Sequence, residues 1–297
     1  MYVLYKVALV DVDGHNFPSL PLMKLSAWHK KQGDSVEWHN PFEYYDKIYM
    51  SKVFDFTPDY DYAYNADEII RGGTGYRDID LKAALPIEIE SICPDYSLYP
   101  QFSEAYGFLT RGCPRNCKFC IVTQKEGNQA VRVADITDFF QNQKTIRLLD
   151  PNIVACAERE TLLQQLSTTN AYIDFTQGLD IRLMDSDTIK LLNRLKSKML
   201  HFAWDNPKED LTPHFKRFNE HSAIKDERKK SVYVLTNFNS SHDEDLFRVY
   251  TLRDLGYSPY IMIYDKPNAP KITRNLQRWV NNRFIFRSTK SFDEYKV

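Results

Sequence analysis

Cys113, Cys117 and Cys120 fall within eight residues in the order C-x3-C-x2-C. The stretch Cys113-Pro114-Arg115-Asn116-Cys117-Lys118-Phe119-Cys120 follows the run from Ala105 to Leu109, which reads as a strand. Three thiols so close together cannot pair off into a clean set of disulfides. They can all turn toward one soft metal centre, because thiolates select zinc, copper(I) or iron–sulfur clusters. Structural zinc usually takes four protein ligands, typically as two C-x2-C-like pairs far apart in the chain. Here there is no second pair: Cys93 and Cys156 stand alone, and the seven histidines contain no H-x-x-x-H pair. A four-iron cluster held by three cysteines would leave one iron free to bind a small molecule.

The rest of the chain must position these thiols. It has 297 residues, 43% hydrophobic and 27% charged, which is ordinary for a globular protein of one large or two modest domains. No run approaches the roughly 18 apolar residues of a membrane helix. The start, Met1 to Lys6, lacks the pattern of a signal peptide. A tight thiol cluster calls for a reducing compartment, so a cytoplasmic location is expected. A net charge of -1 gives no overall attraction to nucleic acid.

From the start, Tyr5–Val12 reads as a buried parallel strand, Leu20–Lys31 as a helix, and Ser35–Trp38, Lys47–Phe54 and Asp67–Arg71 as further strands. Residues 1–95 thus read as a small Rossmann-like α/β domain, and 96–101, rich in Pro, Tyr and Ser, as a linker. Beyond the cysteines the pattern alternates. Helices are expected over Val133–Gln141, Glu158–Leu166, Asp187–Leu195 and Asp243–Leu255. Strands are expected over Thr145–Leu149, Tyr172–Thr176, Met199–Trp204, Ser231–Thr236 and Tyr260–Tyr264. With the strand before the cysteines this makes about six β/α units over residues 102–267. They are too few for a closed eightfold barrel and fit a partial (β/α)6 barrel. Residues 268–297 read as a basic, aromatic helical extension.

The cysteine spacing, with Phe119 just before the last thiol, resembles the signature of the radical SAM superfamily, over residues 102–265. The resemblance implies a four-iron four-sulfur cluster on Cys113, Cys117 and Cys120, with S-adenosylmethionine chelating the open iron. It also implies Phe119 beside the adenine and a reducing partner such as flavodoxin or ferredoxin. The (β/α)6 barrel is the fold of that family. Residues 1–95 resemble a shortened cobalamin-binding-type domain. Asp13-Gly14-His15-Asn16-Phe17-Pro18 is similar to the D-x-H-x-x-G loop whose His ligates cobalt, with Pro18 in place of the glycine.

Parallel sheets bind ligands at the C-terminal ends of their strands. Asp150, Asn152, Gln177, Asp180, Arg182, Asp205, Asn206, Asn237 and Asn239 recur there, and together they read as a lined pocket, although any one of them can be a mere cap or turn former. By analogy with the family, Asp150 and Asn152 meet the methionine amine, Arg182 its carboxylate and Gln177 the ribose. Asp180, Asp205 and Asn237 are further contacts. Leu149-Asp150-Pro151-Asn152 replaces the family's Gly-Gly-Glu-Pro. Cys156 reads as a buried inert thiol, Cys93 as a packed side chain, and Lys225–Lys230 as a solvated helix end. Lys271, Arg274, Arg278, Arg283, Arg287 and Lys290, interleaved with Trp279, Phe284 and Phe286, can bind RNA or form an amphipathic helix packed on the barrel; packing is the preferred reading. Three functions stay open: a radical enzyme (with or without cobalamin-assisted methyl transfer), an iron–sulfur sensor without turnover, and a zinc-stabilised interaction module.

Overall fold

The computed structural model describes residues 4–295. The first three residues of the expected 1–95 segment and the last two of the 268–297 extension lie outside the described residues.

The chain forms two parallel sheets. The first contains β1 (Lys6–Asp11), β2 (Ser35–Trp38), β3 (Tyr45–Ser51) and β4 (Ala66–Gly72), in the order β2-β1-β3-β4. Between β1 and β2 runs α1 (Leu20–Gln32), with Pro21 in its first turn and a left-handed Gly33 ending it. Leu22 and Leu25 of α1 pack on Val7 and Leu9 of β1. Ala8 and Val10 face the other way, onto Tyr45, Ile48 and Met50, with Tyr60 and Tyr64 from the β3–β4 connection against them. Burial on both faces is why β1 reads as a continuous apolar run.

The short α2 (Ile87–Glu90) leads toward the stretch expected to be a linker. It is packed rather than loose. Tyr99 is 1% exposed and donates a 2.7 Å hydrogen bond to Asp11 at the end of β1. Tyr96 donates to the carbonyl of Phe139 at 2.6 Å, beside the second sheet. Aromatic rings with polar tips make this stretch a clamp between the two sheets.

The second sheet contains β5 (Ala105–Gly107), β8 (Thr145–Leu148), β9 (Tyr172–Leu179), β10 (Lys196–Ala203), β11 (Lys230–Thr236) and β12 (Ser258–Ile263), side by side in chain order and all parallel. Between β5 and β8, β6 (Thr110–Arg111) and β7 (Val131–Arg132) form an antiparallel pair flanking α3 (Val122–Glu126). The later crossovers carry α4 (Arg159–Thr168), α5 (Ser186–Leu192), α6 (Thr212–His221) and α7 (His242–Asp254). α8 (Lys271–Asn281) and α9 (Arg283–Ser288) follow β12. Ile146, Ile173, Phe175, Leu200, Phe202, Val232, Val234 and Ile261 turn one face of the sheet into the core, against Leu162, Leu166, Phe215, Val249, Leu252 and Leu276 of the helices. β5 and β12 each pair on one side only, so the sheet is open among the described residues. The fold is therefore α/β with parallel sheets.

Some expectations need correction. Val133–Gln141 is not a helix, because Val131–Arg132 is drawn into the β6–β7 pair. Asp135 and Asp138 then cap a single 3-10 turn at Ile136–Asp138. Lys225–Lys230 is not a helix end, since α6 stops at His221. Lys230 opens β11 with its ammonium buried against Asn219 Oδ1 at 2.9 Å. In the C-terminal extension Trp279 and Phe286 join the core, and only Phe284 among the three aromatics is exposed.

Candidate functional site

The cysteine loop is built on a buried carboxylate. Asp150, just past β8 and 4% exposed, accepts hydrogen bonds from the Leu109 amide (3.1 Å), the Thr110 amide (2.5 Å) and the Thr110 hydroxyl (2.7 Å). Burial pushes Asp150 up to about 6, even though these bonds favour the charged form. The chain then turns through Gly112 at φ 85°, where a Cβ would stand 2.1 Å from the carbonyl oxygen of Gln129. Only glycine fits there. The Cys113 amide donates to Gly127 at 3.2 Å and the Cys120 amide to Cys117 at 3.0 Å, with Asn116 left-handed between them. Arg115, inside the C-x3-C spacing, pairs with Asp180 past β9 and so ties the loop to the sheet.

All three thiols are half-buried. Burial pushes Cys117 and Cys120 up, and Asp205 and the neighbouring thiols add to it, so the three thiols and Asp205 share one neighbourhood. Among the described residues no three His, Cys, Asp or Glu side chains converge on a single ion-sized point.

A cavity of about 410 Å³ lies between this loop and the ends of β10 and β11, with Cys117, Phe119, Arg182, Asp205, Glu209 and Asn239 on its wall. Arg182 is held by Asp180 (2.7 Å) and Glu209 (2.8 Å). Burial lifts Asp205 to about 6, against the pull of Arg248 and Arg182. Arg248 is fully buried beneath it. Its guanidinium donates to the carbonyls of Trp204 (2.7 Å) and Leu235 (2.9 Å) and to Asp245 (2.5 Å), fixing the ends of β10 and β11 to α7. Phe119 meets Phe238 edge-on at 5.4 Å, and Phe238 meets Tyr264 at 4.9 Å.

Of the residues singled out from sequence, Cys117, Phe119, Arg182, Asp205, Asn206 and Asn239 come together on the cavity wall. Asp150 and Asn152 lie behind the loop. Asn152 donates to Cys113 Sγ at 3.6 Å, and its buried Oδ1 has no partner among the described residues. Asp180 is a clamp for Arg115 and Arg182, and the two guanidinium groups outweigh its burial and hold its carboxyl low. Gln177 lies within β9 and is exposed. Asn237 adopts φ 61° and donates to the Tyr264 carbonyl at 2.8 Å, tying two strand ends. Sequence reasoning missed Arg115, Glu209 and Arg248. Arg115 was legible from its place inside the motif. Arg248 was not, since charged helix positions usually face water.

Elsewhere, Asp13 accepts from the Val53 amide (2.6 Å) and the Thr57 hydroxyl (2.7 Å), and the His15 ring packs on Trp38 at 4.2 Å and Tyr99 at 5.7 Å. Cys156 is buried in the core, and Cys93 accepts from Gln141 at 3.1 Å. Among the described residues no helix is long and apolar enough to cross a membrane. No protein-family model matches the sequence, and no curated protein matches it.

Proposed function

We propose that this chain is a radical S-adenosylmethionine enzyme in which Cys113, Cys117 and Cys120 hold a four-iron four-sulfur cluster. The observation that carries the reading is the placement of the three-thiol loop beside a cavity at the strand ends of an open parallel sheet. The donor set fits: each thiol takes its own iron in such a cluster, so the thiols need not meet at one point. In this reading the second sheet is the splayed (β/α)6 barrel of the superfamily and the first sheet is its Rossmann-like companion. When bound, cluster and S-adenosylmethionine together supply one-electron cleavage of a sulfonium and hydrogen-atom abstraction from an unactivated carbon.

The chain's own residues do the positioning. Phe119 offers a ring against which a purine stacks. The unpartnered Oδ1 of Asn152, beside Cys113, accepts from an amine. Asp205 presents a carboxylate to the cavity, and Arg182, neutralised by Asp180 and Glu209, forms part of a rigid wall. Electrons come from a one-electron donor of the flavodoxin or ferredoxin type. Cobalamin is left out of the proposal because the His15 ring is engaged with Trp38 and Tyr99. An iron–sulfur sensor would need no cavity of this size next to its thiols.

Iron content and the absorbance near 400 nm, measured after anaerobic reconstitution, test the ligand set (~400 nm being the thiolate–iron band of such clusters). Replacing Cys113, Cys117 or Cys120 by Ala is expected to abolish or greatly reduce both, and replacing Cys93 or Cys156 to leave them intact. Full iron in a Cys117→Ala protein would overturn the assignment.

A further inference from the structure

The second sheet has one apolar face and one polar face. Parallel sheets are normally covered on both faces and apolar on both. Here a row of polar and aromatic side chains crosses the face turned away from the helices. Tyr106 of β5 is in register with Arg147 of β8, and Arg147 with Asp174 of β9. The irregular β9–β10 pairing brings His201 to 3.8 Å from Asp174, and His201 stacks flat on Tyr233 of β11 at 5.1 Å. Tyr260 of β12 closes the row against Tyr233 at 6.0 Å, and there the face is open: Tyr260 is 43% and Met262 45% exposed.

Such a row is costly unless every buried polar atom is satisfied. It is not satisfied. Arg147 Nε, Asp174 Oδ1 and His201 Nδ1 are buried without a hydrogen-bond partner among the described residues. The remaining bonds are local: Arg147 donates to Glu104 at 3.0 Å, which also accepts from Lys198 at 3.0 Å. Three orphaned groups on three adjacent strands, beside a stacked ring pair, are free to bond a ligand. The row also faces the candidate site, since Ala203, two residues beyond His201 on β10, lines the cavity with Cys117 and Asp205.

We infer that this row is the substrate subsite and that it takes a planar group with an N–H beside a C=O, such as a nucleobase or a carboxamide. An N–H of the ligand donates to Asp174 Oδ1, Arg147 Nε donates to its carbonyl, and His201 Nδ1 takes the remaining edge. Tyr233 backs the His201 ring, and Tyr260 stands at the open end of the row. Calling the ligand a substrate rests on the proposed function; its binding does not.

The test is thermal unfolding of the reconstituted full-length protein with saturating S-adenosylmethionine, so that no probe reports the cofactor's own place. The probes are guanosine, uridine and glutamine, with adenosine, glucose and octanoate as counter-probes. At least one probe is expected to raise the midpoint by several degrees, and no counter-probe should. An Asp174→Asn/His201→Phe protein is expected to unfold no earlier than wild type, because a buried charge is neutralised and an unpaired ring nitrogen removed, while keeping its iron and losing the shift. The milder Asp174→Asn protein is expected to show a weakened shift. The inference is overturned by no shift with any probe, by a shift retained in the double variant, or by a double variant that melts well below wild type, which would make the row structural. Iron loss in the wild-type protein itself would count against the cluster, not against this subsite.

Discussion

At the scale of single residues, the site is set by what each polar group has left to offer. Asp180 and Arg182 were legible as strand-end polar residues, yet they are spent on each other, on Arg115 and on Glu209. Asp205 is the carboxylate turned to the cavity and lifted toward neutrality by burial. Its folded pKa, about 6, lies above the ordinary 3.8, so the folded protein holds this proton over a window in which the unfolded chain has lost it. Stability from this group therefore falls as pH rises from about 4 to about 6, and stays at its lowest above that window. Asp205→Asn is expected to remove this slope and to stabilise the protein at pH 8 by about 1 kcal/mol, since half-burial discounts the full shift. Denaturant midpoints at about pH 5 and pH 8 check it. A wild-type-like slope in the variant would mean Asp205 titrates normally.

At the scale of elements, the cysteine loop depends on contacts distant in the chain. β6 has only two residues and survives because Asp150, some 40 positions away, satisfies the Leu109 and Thr110 amides. Asp150→Ala leaves two buried amides without acceptors and is expected to cost about 2–4 kcal/mol. It is also expected to cut iron loading, which the conservative Glu104→Gln change should not. Iron content alongside urea unfolding separates these effects. The helix expected over Val133–Gln141 fails for a related reason. The two residues just before it, Val131 and Arg132, belong to a strand pair whose partner lies on the far side of the cysteine motif, and nothing in local periodicity reports that pairing. The strands of both sheets and the long helices were legible because burial on one or two faces imprints an apolar period on the sequence. The polar row was not, because Arg147, Asp174 and His201 align only when the strand registers are known.

At the scale of the whole molecule, two parallel sheets are joined by a short aromatic segment. The Tyr99 hydroxyl is the donor that burial-strained Asp11 receives, and burial holds that carboxyl above its usual range. Tyr99→Phe keeps the ring packing but removes the bond, and is expected to cost about 1–2 kcal/mol at pH 8 and less as acid protonates the raised Asp11 carboxyl. A loss independent of pH would contradict it. Composition alone made residues 96–101 look like a linker, because Pro, Tyr and Ser are equally at home in loops and in clamps. The thiol loop, by contrast, could be singled out from the sequence alone, because C-x3-C-x2-C is a matter of spacing, and spacing survives without a fold.

The most direct measurement on the central claim is production of 5'-deoxyadenosine by the anaerobically reconstituted protein, with dithionite as reductant and S-adenosylmethionine present. Formation above a Cys113→Ala/Cys117→Ala/Cys120→Ala control, with an EPR signal altered by S-adenosylmethionine, is the expected result. A fully loaded cluster whose EPR signal ignores S-adenosylmethionine, with no deoxyadenosine formed, would contradict the proposed function.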